Sequence, residues 1–165
     1  MKRLNKIMKR VDLVIQACNE LKLPLKVFGK EFADYGEELR RIAGSTIEFL
    51  GEVSDRDLVE LYSNAKAFIY AAEHEDFGII PVEAQSYGVP VIALNQGGLK
   101  ESTIGGKTGV FFDDSSKESL IKAIKSLAKL RIRKEDCVEN AKRFSKERFK
   151  KEIKAFVQKH YESDH

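Results

Sequence analysis

Three short runs constrain this chain more than anything else in it: AKAFIYA at 65–71, PVIAL at 90–94 and GVFF at 109–112. In the first two, apolar residues follow one another with little alternation, which suits strands buried on both faces, as in a parallel sheet covered by helices, and GVFF reads as the last strand. Parallel strands need long crossover connections, and the intervening segments read as helices. Ser54-x-x-Asp57 resembles a capping box with Asp in place of the usual Glu, and it opens a helix with Leu58, Leu61 and Tyr62 on its apolar face. Ser115-x-x-Glu118 predicts the cap of a second helix, carrying Leu120, Ile121, Ile124, Leu127 and Ala128. Upstream, LKVFG at 25–29 and TIEFL at 46–50 read as two further strands. Residues 9–22 place Val11, Val14, Ile15, Cys18 and Leu21 on one helical face, and residues 34–43 read as a polar surface helix. Strand and helix alternate throughout, which predicts a Rossmann-like, doubly wound α/β domain.

No further strand is expected after residue 130. Two helices fill residues 131–165, one before Phe144 and one from about Ser145 with Phe149, Ile153, Phe156 and Val157 on one face. A Lys-rich amphipathic helix of this kind lies on a membrane surface or packs on its own domain or a neighbour; both readings are open.

At 165 residues the chain is one domain, large enough to bury roughly 70% of its unfolded surface. A net charge of +3 with no basic stripe interleaved with aromatics makes nucleic acid an unexpected partner. Cys18 and Cys137 have no CxxC or His partner spacing, so neither a zinc site nor a disulfide is indicated, and a reducing cytoplasm is the expected compartment. No run approaches the ~18 apolar residues of a membrane span. MKRLNKIMKR at the N-terminus lacks a signal-peptide core.

The candidate site is residues 73–90, EHEDFGIIPVEAQSYGVP. Pro81 is read as the first residue of a helix, and Gly88 with Pro90 as its stop. The amides of Gly78, Ile79 and Ile80 would then sit free at a positive helix N-terminus, where a phosphate binds well. Glu75 in the loop and Glu83 in the first turn flank that point. A plainer reading stands beside this one: Glu83 complements the helix dipole, and Glu73, Glu75 and Asp76 form a solvated acidic loop. Other motifs fail. GGKTG at 105–109 lacks the earlier glycine of a P-loop, because position 101 is Glu, and it leads into a strand. Gly97-Gly98 is no GxGxxG. His74 has no triad or metal spacing around it and reads as a solvated loop residue.

Glu75-x7-Glu83 within EDFGIIPVEAQSYGVPVIA resembles the signature of the retaining glycosyltransferases of family 4, which have the GT-B fold. GGLKE at 97–101 falls where the family has GG-x-x-E, KTGV at 107–110 where it has TG-h, and IEFLGEVSDRDLVELYSNAKAFIY resembles the segment ahead of the signature. Together the matches cover residue 3 to about 130. The resemblance implies that 1–130 is a nucleotide-sugar donor-binding domain and that 131–165 are helices packing on it or on an N-terminal acceptor-binding domain missing from this chain. Transferred residue by residue, it makes Arg3 and Lys9 the cations that hold the donor diphosphate, with a solvated basic N-terminus as the plainer alternative. Glu83 would accept hydrogen bonds from the ribose hydroxyls, Glu75 would be the catalytic carboxylate facing the donor sugar, and the amides of Phe77, Gly78 and Ile79 would line sugar and diphosphate. Val53 matches a position whose backbone contacts the base, or is an ordinary turn residue. No cofactor and no metal are implied.

In the 3-2-1-4-5-6 strand order the first strand is central. The helix at 9–22 looks like the one that follows it, yet only MKRLNKIM precedes that helix. Most of the first strand is therefore expected to be absent and the chain to be a fragment, unless residues 1–6 form a short substitute. Unpaired edges at such a gap would favour a dimer. The implied function is the donor half of an enzyme moving a hexose from a nucleoside-diphosphate sugar to a hydroxyl acceptor, with the isolated chain binding nucleotide but inactive. Two alternatives stay open: a non-catalytic nucleotide-sugar-binding module, and a GT-B nucleotide-sugar epimerase, against which Glu-x7-Glu counts. A role in polysaccharide biosynthesis, and peripheral association of the whole enzyme with a membrane, are expectations from the family alone.

Overall fold

The computed structural model describes residues 9–30 and 33–163. Five strands lie among them: β1 (Leu25–Phe28), β2 (Ile47–Gly51), β3 (Phe68–Tyr70), β4 (Val91–Leu94) and β5 (Gly109–Phe112). The helices are α1 (Val11–Leu21), α2 (Ala33–Ile42), α3 (Asp55–Asn64), α4 (Ile79–Ser86), α5 (Leu99–Ser102), α6 (Lys117–Leu127), α7 (Lys134–Lys142) and α8 (Lys146–Ser163). Every strand pair is parallel. β3-β4-β5 form one ladder, and β1 pairs with β2 in a second. Among the described residues no strand joins β1 to β3, which is where the sequence reading placed its absent first strand. Residues 1–6, the expected substitute, lie outside the described residues.

Helix α1 unites the two ladders. Leu13, Val14, Ala17 and Cys18 pack into one core with all of β4, with Val110 and Phe112 of β5, and with Leu120, Ile121 and Ala123 of α6; Leu25, Ile47 and Ile69 join its edge. A smaller core gathers Tyr62, Ala84 and Val89 with Phe28, Leu58 and Phe68. There the Tyr62 ring meets Phe28 and Phe68 edge-on at 6.1 and 5.9 Å and stacks on Tyr87 at 5.3 Å.

The helix caps show how local chemistry sets boundaries. Ser54 Oγ accepts from the Asp57 amide at 3.2 Å, as the box predicts, while the Asp57 carboxylate accepts from the Ser54 hydroxyl at 2.7 Å rather than from its backbone N–H. The second cap is Ser116, not Ser115: its hydroxyl accepts from the Ser119 amide at 3.1 Å. Asp114 accepts from the Ser116 amide at 3.0 Å, and this turn moves the helix start on by one residue. At the other end Ala128 is the exposed C-cap, and it is Ala123 that is buried with Leu120 and Ile121.

One other expectation is corrected. β3 is three residues long and half-buried throughout, whereas 65–71 was expected to be buried on both faces. Among the described strands only β4, paired on both edges, is fully buried along its length. Among the described residues the apolar face of α8 stays open, with Phe149 65% exposed and Ile153, Phe156 and Val157 exposed as well. Among the described residues no helix is long and apolar enough to cross a membrane.

Candidate functional site

Helix α4 begins two residues before Pro81, with Gly78 as its N-cap in the left-handed region at φ 80°. Proline is therefore third in the helix. It costs nothing there, because none of the first four amides has an intrahelical acceptor. The Gly78 amide is not free, contrary to expectation: it donates to Glu75 Oε1 at 3.2 Å, so the Glu75 side chain closes the turn that starts the helix. The amides of Ile79 and Ile80 are left at the positive end of α4, beside an Ile79 side chain that is 70% exposed. At the other end Gly88 N–H bonds Gln85 O at 2.9 Å and Val89 N–H bonds Ala84 O at 3.2 Å, a Schellman stop with Gly88 at φ 79°.

The loop that carries Glu75 is seated on the glycines after β4. Gly98 N–H donates to Glu75 O at 3.0 Å. A Cβ at Gly97 would lie 2.5 Å from Glu75 O, and one at Gly98 would overlap Asp76 O and Phe77 Cα. A Cβ at Gly78 would meet Leu99 Cδ2 at 2.7 Å. Backbone therefore rests on backbone where the loops after β3 and β4 meet, and no larger residue fits. This is a physical reason for paired glycines at the head of GGLKE.

Both carboxylates of the Glu-x7-Glu pair have a tyrosine beside them. Tyr70, the last residue of β3, donates its phenol proton to Glu75 Oε2 at 2.7 Å. Burial first, and the hydrogen bond to Glu75 second, push the Tyr70 pKa well above the ordinary phenol range. Glu83 is exposed and is the fifth of the eight residues of α4, not in the first turn as expected, because the helix starts two residues before Pro81. Tyr62, 2% exposed, has its hydroxyl buried near Glu83, and burial first, then the Glu83 carboxylate, raises its pKa.

The C-terminal helices brace this apparatus. Asn140 Nδ2 donates to Gln85 Oε1 at 2.7 Å and to Ser102 O at 2.9 Å, while Gln85 Nε2 donates to Ser102 O at 2.8 Å. These three residues are buried, so α7 is tied to α4 and α5 by a satisfied polar network in an apolar surround. Phe77 turns its ring onto Phe144 at 5.2 Å, edge to face. Gly88 lets α7 approach, since a Cβ there would lie 2.9 Å from Lys134 Cβ.

Of the residues singled out from sequence, Glu75 and Gly78 are joined by a hydrogen bond, Phe77 lies in the same loop, and Ile79 and Glu83 are on the helix it opens. Arg3 lies outside the described residues. Lys9 is exposed just ahead of α1, and its neighbour Arg10, read from sequence only as part of a basic run, bonds the loop: Nη1 lies 3.1 Å from Glu73 Oε1. Val53 sits half-buried after β2, on the other ladder, and no hydrogen bond among the described residues ties it to the Glu75 loop. His74 is exposed at the loop tip with φ 55°. Sequence reading missed Tyr70, hidden in an apolar run, and Gln85 and Asn140; the available signal was a polar side chain at helical spacing with buried apolar ones. A separate hollow of about 290 Å³ between β5 and α6, lined by Phe111, Asp113, Ser119 and Lys122 among others, shares no residue with this site.

A parallel sheet wound by helices, with its carboxylates and a helix N-terminus gathered at the carboxyl edge of β3 and β4, is the Rossmann-like architecture found in the C-terminal half of GT-B glycosyltransferases. The family model "Glycosyl transferases group 1" matches residues 1–144, and the chain belongs to that family. It is 37% identical over 103 residues to the D-inositol 3-phosphate glycosyltransferase of Corynebacterium glutamicum (strain R), a match covering 60% of this chain and 25% of that protein. In structure it is similar to the sucrose-phosphate synthase of Thermosynechococcus elongatus, with TM-score 0.81 and 23% identity over 94% of this chain and 43% of that one. It is also similar to Anabaena Alr3699/HepE in complex with UDP-glucose, with TM-score 0.71 and 22% identity over 86% of this chain and 42% of that one. The chain spans between 20% and 40% of the length of the first three curated relatives it matches.

Proposed function

We propose that this chain is the nucleotide-sugar donor half of a retaining hexosyltransferase. The observation that carries the reading is the start of α4: its positive end, with the Ile79 and Ile80 amides, stands between a Glu75 held by two hydrogen bonds and an exposed Glu83. A nucleoside diphosphate at that end would lie on the helix dipole, with Lys9 and Arg3 as the cations that offset its charge as it leaves. Glu83 would accept from both ribose hydroxyls, which suits a carboxylate because it carries acceptors only. Glu75 would orient the sugar hydroxyls and stabilise positive charge developing at the anomeric carbon. Val53 would contact the base through its backbone. The acceptor hydroxyl would come from a second domain, no metal would take part, and the apolar face of α8 would be available to that domain. The UDP-glucose bound to HepE makes uridine diphosphate sugars the first donors to try, with guanosine diphosphate sugars as the comparison.

Calorimetric titration of the chain with UDP, GDP, UDP-glucose and GDP-mannose, with a chelator present, tests the reading. Saturable binding of one base series is expected, weakened about tenfold or more by Glu83→Ala, in line with loss of hydrogen bonds to a charged group. Absence of binding by a folded chain would overturn it.

A further inference from the structure

We propose that Tyr70 is a positioning residue that fixes the Glu75 carboxylate for the donor sugar. The inference rests on the reading above, in which Glu75 faces that sugar. A glutamate on a loop has three freely turning bonds, and a sugar hydroxyl finds it only when the carboxylate plane is set. Here the plane is set from both sides: the Tyr70 hydroxyl donates to Oε2 at 2.7 Å and the Gly78 amide to Oε1 at 3.2 Å. Each oxygen keeps a second acceptor direction for a ligand hydroxyl. Neither donor is free to drift. The Tyr70 ring ends a paired strand and stacks on Phe68, with centroids 6.1 Å apart and planes 24° from parallel. The Gly78 amide is held by the helix it opens. Burial keeps the phenol protonated throughout the neutral range, so it remains a donor there. The loop backbone is fixed separately by Gly98 N–H on Glu75 O. Loss of the phenol therefore frees the carboxylate and leaves the loop in place.

The test uses the full chain as wild type, Tyr70→Phe, Glu75→Gln and the double variant. UDP is titrated against UDP-glucose, and GDP against GDP-mannose. Tyr70→Phe keeps the ring and its stacking, so the fold is retained, with thermal unfolding as the check. The expected result is about a tenfold loss of affinity for the nucleotide sugar, with the bare diphosphate within about twofold of wild type, and no added loss when Tyr70→Phe is placed on Glu75→Gln. Equal weakening of diphosphate and nucleotide sugar, losses that multiply in the double variant, or an unchanged Tyr70→Phe would each overturn the inference while leaving the donor-site reading standing. A wild-type chain that binds neither ligand would overturn both.

Discussion

The two ladders of this molecule are built to different standards. In β3-β4-β5 the middle strand is buried at every residue, α1 and α6 cover it, and the loops leaving β3 and β4 lock through glycine backbone. In β1-β2 every residue is half-buried or exposed, a register shift interrupts the pairing between Val27 and Phe28, and the glycines that end the strands, Gly29 and Gly51, face open space. Every candidate site residue with a defined hydrogen bond lies on the first ladder. A carboxylate holds its place only on backbone that does not move, so the site sits where packing is tightest.

The sharpest way to break the comparison is a core truncation in each ladder. Phe112→Ala, at a fully buried position in β5, is expected to cost about 3–5 kcal/mol. Val27→Ala, half-buried in β1, is expected to cost about 1 kcal/mol. Denaturant unfolding of both variants measures the ratio, and equal costs would erase the distinction. Glycine replacements come next. Gly98→Ala is expected to cost about 1–3 kcal/mol, because its methyl overlaps Asp76 and Phe77 backbone that cannot yield. It should also abolish nucleotide-sugar binding. Gly51→Ala meets nothing, so only the strain of φ 69° opposes it, about 1–2 kcal/mol with binding retained.

A titration sharpens the contrast further. Burial pushes the Cys18 thiol up to about 11, and burial with the Asp136 charge does the same to Cys137; both pack against the first ladder. Unfolded thiols ionise near about 8.5, so between that value and the folded one the native state holds protons that the unfolded state has released. Their contribution to stability is complete below about 8.5 and is lost as pH rises towards 11. Unfolding free energies measured from pH 8 upward should fall in wild type and fall less in Cys18→Ala, and parallel curves would contradict this. The smallest effect belongs to the second ladder: Lys26→Ala breaks an exposed 3.5 Å pair with Glu48 and should change stability by less than about 0.5 kcal/mol, salt removing even that.

Much of this was legible in the chain. Unbroken apolar runs announced parallel strands, Ser54 announced its helix, and Gly88 and Pro90 announced the end of α4, because each is decided within a few residues by sterics and local hydrogen bonds. Pro81 misled by two positions, since the helix start is set by Glu75 reaching forward to the Gly78 amide, a choice between local options that proline chemistry does not express. The Ser115 cap failed for a similar reason, through Asp114.

What the sequence by itself determined is the order of elements, the parallel ladder and the loop that bears Glu75 and Glu83, all products of spacing and backbone preference along a short stretch. What only the tertiary structure decided is which side chains meet that loop: Tyr70 on Glu75, Arg10 on Glu73, Gly97 and Gly98 beneath the backbone, Phe144 against Phe77, and Asn140 holding Gln85 from more than fifty positions away. The reason is physical. Spacing along the chain governs contacts within one turn or one strand, whereas these contacts depend on where separate elements come to rest once α1, α6 and α7 have buried their apolar faces.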